Sequence, residues 1–516
     1  MNFIDFFDKS VVAQAQRTAV VFESQRWTYA EVSDLAARIA NGLRAVGVQR
    51  DVKCAVISKN DPIAFISMLG IMRAEGVWVP LNATNAEDEN AYIVQAFDVE
   101  VLFFQKALEP FARRIQAECP AVRHFFCVDG ASELGPNVEA WAATQSAERR
   151  ALPWAPDALC WLRGTGGTTG RPKGVMNTNR NFETMVANFR ATLRFDQPPV
   201  YLASAPLSHA SGILAMVTMA MEGTLVIQRG FDVQDTLRAI PEHAISFIYL
   251  PPTAIYKMLA AENVHDFDYS SLRHFVYGAA PMSATKLAES IAVFGPVMTQ
   301  VYGQTEVPTS VTHMSPAEHL NADGTINEKR LLSCGRPAPF TRVALIDDAG
   351  QPVPPGQIGE IAVQGGLVMG GYYKNPTATA ETGMFGWHHT GDMAYQDEEG
   401  FIYICDRKKE MIITGGYNVY PLEVEQVVLS HPAVQDCAVV GVPDDKWGEA
   451  IKAVIELKAG QTLDPDEIIA MCKARIGSVK APKSVDFIES LPRSPVGKVM
   501  RKEVRRRYWT GQERNV

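Results

Sequence analysis

Short apolar runs alternating with longer segments of helical periodicity constrain this chain more than any other feature. Ala55-Val56-Ile57, Val77-Trp78-Val79-Pro80 and Val101-Leu102-Phe103-Phe104 occupy its first part. Val200-Tyr201-Leu202, Leu225-Val226-Ile227, Phe247-Ile248-Tyr249-Leu250 and His274-Phe275-Val276-Tyr277 repeat the pattern further on. Strands this short and continuously apolar are buried on both faces, and strands separated by helices run mostly parallel. The expected fold class is α/β, with two doubly wound sheets in one large N-terminal domain. One helix carries its own start signal: Thr28-Tyr29-Ala30-Glu31 is a capping box. Leu35, Ile39, Leu43 and Val46 follow at helical spacing, and Gly47 ends the helix.

A chain of 516 residues exceeds one hydrophobic core and calls for at least two domains. From about residue 331 to 405 strands shorten and turns multiply, as at Asp347-Asp348-Ala349-Gly350 and Pro354-Pro355-Gly356. That texture predicts a distorted antiparallel β-barrel. The charged run Arg407-Lys408-Lys409-Glu410 marks the boundary between residues 1–406 and a small α+β C-terminal domain, 407–516. Pro421-Leu422-Glu423-Val424-Glu425 opens a helix in the latter.

Composition excludes several classes of function. A net charge of -9 argues against a general nucleic-acid binder, and the basic segment 501–507 reads as a solvated helix face. Eight scattered cysteines, with no Cys-x-x-Cys and no zinc spacing, suit reduced thiols and a cytoplasmic home. The N-terminus carries Asp5 where a signal peptide carries base, and the apolar window from Gly212 to Met221 is too short for a bilayer. No stable membrane insertion is expected.

The chemistry-bearing stretch is Arg163-Gly164-Thr165-Gly166-Gly167-Thr168-Thr169-Gly170-Arg171-Pro172-Lys173-Gly174, directly after Leu159-Cys160-Trp161-Leu162. So many glycines argue against a helix or a paired strand, and they let backbone N–H groups turn toward a ligand. Threonine hydroxyls and the positive charge of Arg171 and Lys173 suit a polyphosphate. A Walker loop requires Gly-Lys-Ser/Thr, which is missing, and a dinucleotide fingerprint meets Thr169 in place of its third glycine.

The stretch resembles the signature loop of the acyl-adenylate-forming superfamily, which includes acyl-CoA synthetases, with Gly166 where serine is commoner and Gly164 where an aromatic is frequent. Six further stretches match in the family's order. The resemblance assigns ATP or AMP binding to Thr165, Gly166, Gly167, Thr168, Thr169, Gly170 and Lys173, then to Gly278-Ala279-Ala280, Tyr302-Gly303, Thr305, Asp392, Arg407 and Lys498. Tyr302 would stack on adenine, Asp392 would hold the ribose hydroxyls, and Glu306 would ligate magnesium. Lys498 would be the catalytic lysine, acting with His209, Thr305 and Glu306. His209, Ser211, Gly212, Gly278, Val307 and Pro308 would bound the acyl pocket. Lys409 would be the hinge, and Gly415, Gly416, Tyr417 and Asn418 would help form the coenzyme A tunnel.

What the resemblance implies is a two-step ligase using ATP, Mg2+ and coenzyme A on a small-molecule carboxylic acid, as a monomer or homodimer. The pocket positions carry no arginine or lysine, so an apolar monocarboxylic acid (aliphatic, alicyclic or aryl) is expected. Two rivals remain: a stand-alone enzyme loading a carrier protein, and a non-catalytic nucleotide sensor.

Overall fold

The apolar runs form strands where the sequence places them. The computed structural model describes residues 1–165, 171–494 and 497–509. A six-stranded sheet has the order His124–Cys127, Val99–Phe104, Lys53–Ser58, Val77–Asn82, Leu159–Thr165, Lys173–Thr178. All its pairs are parallel except the last. A nine-stranded sheet runs Arg336–Pro337, Thr312–Met314, Met298–Tyr302, His274–Tyr277, Phe247–Leu250, Val200–Ala203, Thr224–Ile227, Thr18–Phe22, Gln25–Thr28. It is parallel from Met298–Tyr302 through Thr18–Phe22 and antiparallel at both ends. The chain therefore starts in the larger sheet, builds the smaller one, and returns. The alternation of strands and helices alone did not reveal that return, because pairing partners lie about two hundred positions apart.

One continuous core joins the sheets and includes Val20, Ile66, Trp78, Trp161, Leu214 and Phe247. Trp78 and Trp161 stack across their paired strands with ring centroids 5.8 Å apart. The predicted capping box forms: the Thr28 N–H donates to the Glu31 carboxylate at 2.7 Å, and the Thr28 hydroxyl accepts from the Glu31 N–H at 3.2 Å. The helix spans Tyr29–Ala45, and Gly47 follows with φ +95°.

The stretch expected to be barrel-like holds a four-stranded antiparallel sheet, Arg342–Ile346, Gly359–Gln364, His388–Gln396 and Ile402–Arg407. Beyond it lies a five-stranded sheet of Ile412–Thr414, Tyr417–Val419, Val434–Asp444, Gly448–Leu457 and Ser484–Ile488. It has its own core, with Val424, Val439, Ile451 and Ile468 at its centre. A separate core after a charged linker is what an independently packed unit requires.

One expectation is corrected. Arg163-Gly164-Thr165 and Lys173-Gly174 are paired strand, Gly164 opposite Gly174 and Thr165 opposite Lys173. The glycines serve close packing here: a Cβ on Gly174 would stand 3.0 Å from the Phe97 ring, and one on Gly164 3.1 Å from Ile93. The two described ends of the signature stretch are thus paired antiparallel strand.

Candidate active site

Four neighbouring parallel strands of the nine-stranded sheet end side by side, and three of their carboxyl ends lead into predicted site segments. Val200–Ala203 leads to His209, Phe247–Leu250 to Pro251, His274–Tyr277 to Gly278-Ala279-Ala280, and Met298–Tyr302 to Gly303 and Glu306. Ligands of open α/β sheets bind in the crevice at this edge. Backbone crowding explains two of the small residues. A Cβ on Gly278 would meet the Val301 carbonyl oxygen at 2.4 Å, and one on Gly303 the Thr309 nitrogen at 2.4 Å. Ala279, beside them, is held at φ +66°, a conformation that costs a non-glycine residue of order 1–3 kcal/mol and clusters at functional sites.

Asp392 is the polar centre of the crevice. It is buried, and its Oδ2 accepts from the Tyr302 hydroxyl and from Gln304 Nε2, both at 2.6 Å. Arg407 Nε lies 3.1 Å from Oδ1. Gln304 Nε2 also donates to the Thr390 carbonyl at 2.9 Å, so it ties the two segments together. Burial, and then the Asp392 charge, raise the Tyr302 pKa well above its ordinary value, so that ring stays neutral.

Lys498 arrives from the far end of the chain. Its turn is closed by the Ser494 N–H donating to the Lys498 carbonyl at 2.8 Å and by the Lys498 N–H donating to Ser494 Oγ at 3.2 Å. Gly497 (φ +82°) lets this turn press on the helix Pro252–Leu259: a Cβ there would sit 2.8 Å from Thr253 Oγ1. Arg501 braces the turn from behind, bonding Asp406 at 2.7 Å, Glu410 at 2.6 Å and Glu425 at 2.7 Å. Lys498 keeps accessible surface, yet desolvation by the surrounding cleft, and then Arg407, lower its pKa; Glu410 and Asp392 act in the opposite sense.

Glu306 occupies the next position along the crevice. Its Oε1 accepts from the Tyr372 hydroxyl at 2.7 Å, and Lys173 Nζ stands 4.9 Å from the centre of the Tyr372 ring. Among the described residues no group of three or more His, Cys, Asp or Glu gathers as a metal cluster. One carboxylate with an oxygen to spare suits magnesium, which keeps most of its ligands as water and phosphate. Thr305 is half-buried, and its carbonyl accepts from Asn177 Nδ2 at 3.3 Å.

Where the acyl pocket is expected, His209 stands at the N-cap of the helix Ala210–Ala220. Its Nδ1 is 2.9 Å from Ser208 Oγ. Burial, and then the nearby Arg163, draw its pKa down to about 3, so it is neutral. Gly212 is required, since a Cβ would lie 1.9 Å from the Leu207 carbonyl oxygen. Ser211 Oγ is 2.9 Å from the Tyr201 hydroxyl, while Val307 is in the core and Pro308 is buried. Asn60 pins the loop, donating to the carbonyls of Ala203 at 3.2 Å and Ala205 at 3.0 Å and accepting from the Leu207 N–H at 2.8 Å. Arg163, outside the positions expected to bound the pocket, acts electrostatically on both His209 and Tyr249. In the sequence it reads as mere lead-in to the loop, because strand alternation does not say which face meets the crevice.

Gly166, Gly167, Thr168, Thr169 and Gly170 lie outside the described residues. Gly415, Gly416, Tyr417 and Asn418 are exposed on a hairpin, and Lys409 is exposed. The sequence reading gave no role to Gln304, Tyr372, Asn60 or Arg163. Arg163 headed the quoted signature stretch and Gln304 stood between Gly303 and Thr305; Tyr372 and Asn60 reach the site through pairing and loop closure that carry no local signal.

An AMP-binding enzyme profile matches residues 7–373, and an AMP-binding enzyme C-terminal domain profile matches 423–498. The chain is 36% identical to the medium/long-chain-fatty-acid–CoA ligase FadD8 of Mycobacterium tuberculosis (strain ATCC 25618 / H37Rv), with 95% of this chain and 87% of that protein covered. It is 36% identical to a feruloyl-CoA synthase of Amycolatopsis sp, covering 95% and 96%. The solved structure of the amide bond synthetase McbA from Marinactinospora thermotolerans superposes with a TM-score of 0.89 at 28% identity, covering 98% and 100%. The row of strand ends, the buried Asp392 and the lysine brought from the C-terminal unit thus sit in a chain that belongs to the AMP-binding enzyme family.

Proposed function

We propose that the protein is an ATP-dependent, AMP-forming acyl-CoA synthetase. A carboxylate attacks the α-phosphorus of ATP, giving acyl-AMP and pyrophosphate; the thiol of coenzyme A then attacks the acyl carbon and releases AMP. The observation that carries this reading is the buried Asp392, held by Tyr302, Gln304 and Arg407, with the turn that bears Lys498 pressed on the helix Pro252–Leu259 at the same sheet edge. Attack of an anion on a polyphosphate needs positive charge placed beforehand where negative charge gathers. Lys498, Arg407 and Lys173 supply it, and Asp392, held by Tyr302 and Gln304, is oriented to accept from ribose hydroxyls. Glu306 would hold Mg2+, which neutralises phosphate charge when bound; Tyr372 fixes that carboxylate.

The order of steps follows from the two units, residues 1–406 and 407–516. With Lys498 in the crevice, the loop Gly415–Asn418 faces solvent, which suits the first step. Rotation about Lys409 would withdraw Lys498 and present that loop for the thiol step. A tail of apolar character is supported by the small cavity between Trp161, Met185, Met216 and Pro308. Pyrophosphate release across a panel of acids, with mass spectrometry of the product formed from coenzyme A or from a holo-carrier protein, tests the reading. Thioester on coenzyme A is expected; product on the carrier protein alone would refute it.

A further inference from the structure

Arg501 stands three residues beyond Lys498, at the start of the helix Arg501–Arg506. Its guanidinium serves three carboxylates: Nη1 donates to Asp406 Oδ1 at 2.7 Å and to Glu410 Oε2 at 2.6 Å, and Nε donates to Glu425 Oε1 at 2.7 Å. Asp406 and Glu425 are buried. The three are not equivalent, because the chain passes from one unit to the other between them. Asp406 lies in the strand Ile402–Arg407, opposite Met393 in the four-stranded sheet. Lys408 still belongs to that unit: its N–H donates to the Gly391 carbonyl at 2.8 Å, and its Nζ lies 2.7 Å from Asp348. Ile413 belongs to the next, in the five-stranded sheet, and its N–H donates to Glu449 Oε2 at 3.1 Å.

Glu425 is on the far side of that passage with Arg501. It sits in the helix Pro421–Leu429, and its Oε1 also accepts from the Val439 N–H at 2.8 Å. Arg501 and Glu425 therefore move as one body, whereas Asp406 stays with the larger unit. Asp406 makes a second link across the passage: its Oδ2 accepts from the Leu422 N–H at 2.8 Å. Other contacts there are neutral, such as Gln426 Nε2 donating to the Met282 carbonyl at 3.4 Å and Gly497 against Thr253.

We propose that Asp406 is a positioning residue for Lys498. Through Arg501 and the Leu422 N–H it latches the C-terminal unit in the orientation that brings the lysine to the crevice, and it lets go for the thiol step. The inference rests on the ligase reading and deepens it. The coupling to Lys498 is short: the Met500 N–H donates to the Pro492 carbonyl at 2.8 Å, closing the base of the turn between Arg501 and the lysine. On release Arg501 keeps Glu425, so no guanidinium is left bare; what is lost is the Asp406 side. Burial raises the Asp406 pKa, and Arg501 is the strongest opposing influence, so the carboxylate depends on that partner. A charged hydrogen bond of this kind is worth about tenfold or more in an equilibrium constant. That is enough to favour one orientation and small enough to be overcome in each cycle.

A brace for the fold would act equally in both half-reactions, whereas a latch acts in one. Asp406→Asn keeps the size and an oxygen for Leu422 and removes the charge held by Arg501. It is expected to lower kcat for acyl-AMP formation about tenfold, with acid KM little changed, and to convert preformed acyl-AMP and coenzyme A to thioester at the parental rate or faster. Added to Lys498→Ala, it should slow adenylation no further. Asp406→Glu keeps the charge and should recover part of the loss; if Asp406→Asn does not fold, the same two half-reactions are read in Asp406→Glu. Spin labels at Val12→Cys and Val479→Cys, both exposed positions, report the orientation without turnover. They are placed in a Cys405→Ser background, since the other cysteines are buried. The distance between them should split into two populations in Asp406→Asn. Equal loss of both half-reactions, unchanged adenylation, or label distances identical to the parent overturns the proposal. If the parent forms no acyl-AMP from any acid while the distances still split, the ligase reading fails and the latch stands.

Discussion

Replacing Asp392 by alanine separates nucleotide binding from the rest of the site, and the structure sets the size of the effect. The carboxylate accepts at 2.6 Å from both Tyr302 and Gln304 and pairs with Arg407 at 3.1 Å. Losing it leaves the Tyr302 hydroxyl and one Gln304 donor without that acceptor. Each orphaned buried donor costs about 1–3 kcal/mol. Both residues are only half-buried, so the low end applies and the variant should lose about 2 kcal/mol of stability. Arg407 adds little to that sum, because its side chain is 44% exposed and water can solvate it. Hydrogen bonds from ribose to a charged acceptor are worth about 1.5–3 kcal/mol, or roughly 10- to 150-fold in affinity. Steady-state pyrophosphate release, varied separately in ATP and acid, should show the ATP KM raised by that factor and the acid KM unchanged. If the ATP KM stays put while the acid KM moves, Asp392 belongs to another site and the ribose assignment is wrong.

Other perturbations follow from the same geometry. Lys498→Ala should nearly abolish acyl-AMP formation, yet convert preformed acyl-AMP and coenzyme A to thioester at close to the parental rate; equal loss of both half-reactions in a folded variant would refute the division of labour. Lys409→Pro should do the reverse, since proline fixes φ where the turn is proposed. Glu306→Gln should slow adenylation by roughly 10²-fold, with a shifted magnesium dependence; an unchanged magnesium titration would remove Glu306 from the metal. Burial first of all draws His274, His313, His319 and His388 to about 4, below the ordinary histidine value. A lowered folded pKa means that the unfolded chain binds protons first, so stability should be full above about pH 6.5 and fall toward pH 4. Denaturant midpoints measured across that range check this, and His319→Gln, which can keep a bond to Tyr277, should flatten the slope.

Much of the fold was legible because burial on both faces forces continuous apolar strands, as at Phe247–Leu250 and His274–Tyr277. The capping box at Thr28 and the stop at Gly47 were local and came through intact. What failed was pairing across distance. Nothing near Thr18–Phe22 announces that it joins Thr224–Ile227, and the glycines around Arg163 hid paired antiparallel strand. The same limit applies at the site. Asp392, Glu306 and Lys498 stand in recognisable motifs, whereas Tyr372 reaches Glu306 and Asn60 reaches Leu207 only once the chain has folded. Arg163 was visible as a charge but not as a direction.

The central claim is that this crevice makes an acyl-adenylate, and isotope exchange of labelled pyrophosphate into ATP tests it without requiring knowledge of the acceptor. The account predicts exchange that requires both magnesium and a carboxylic acid, rises with acid concentration, and disappears in Lys498→Ala. Nucleotide binding with no acid-dependent exchange across a broad panel of aliphatic, alicyclic, aryl and dicarboxylic acids would contradict it and leave a nucleotide sensor on the same scaffold.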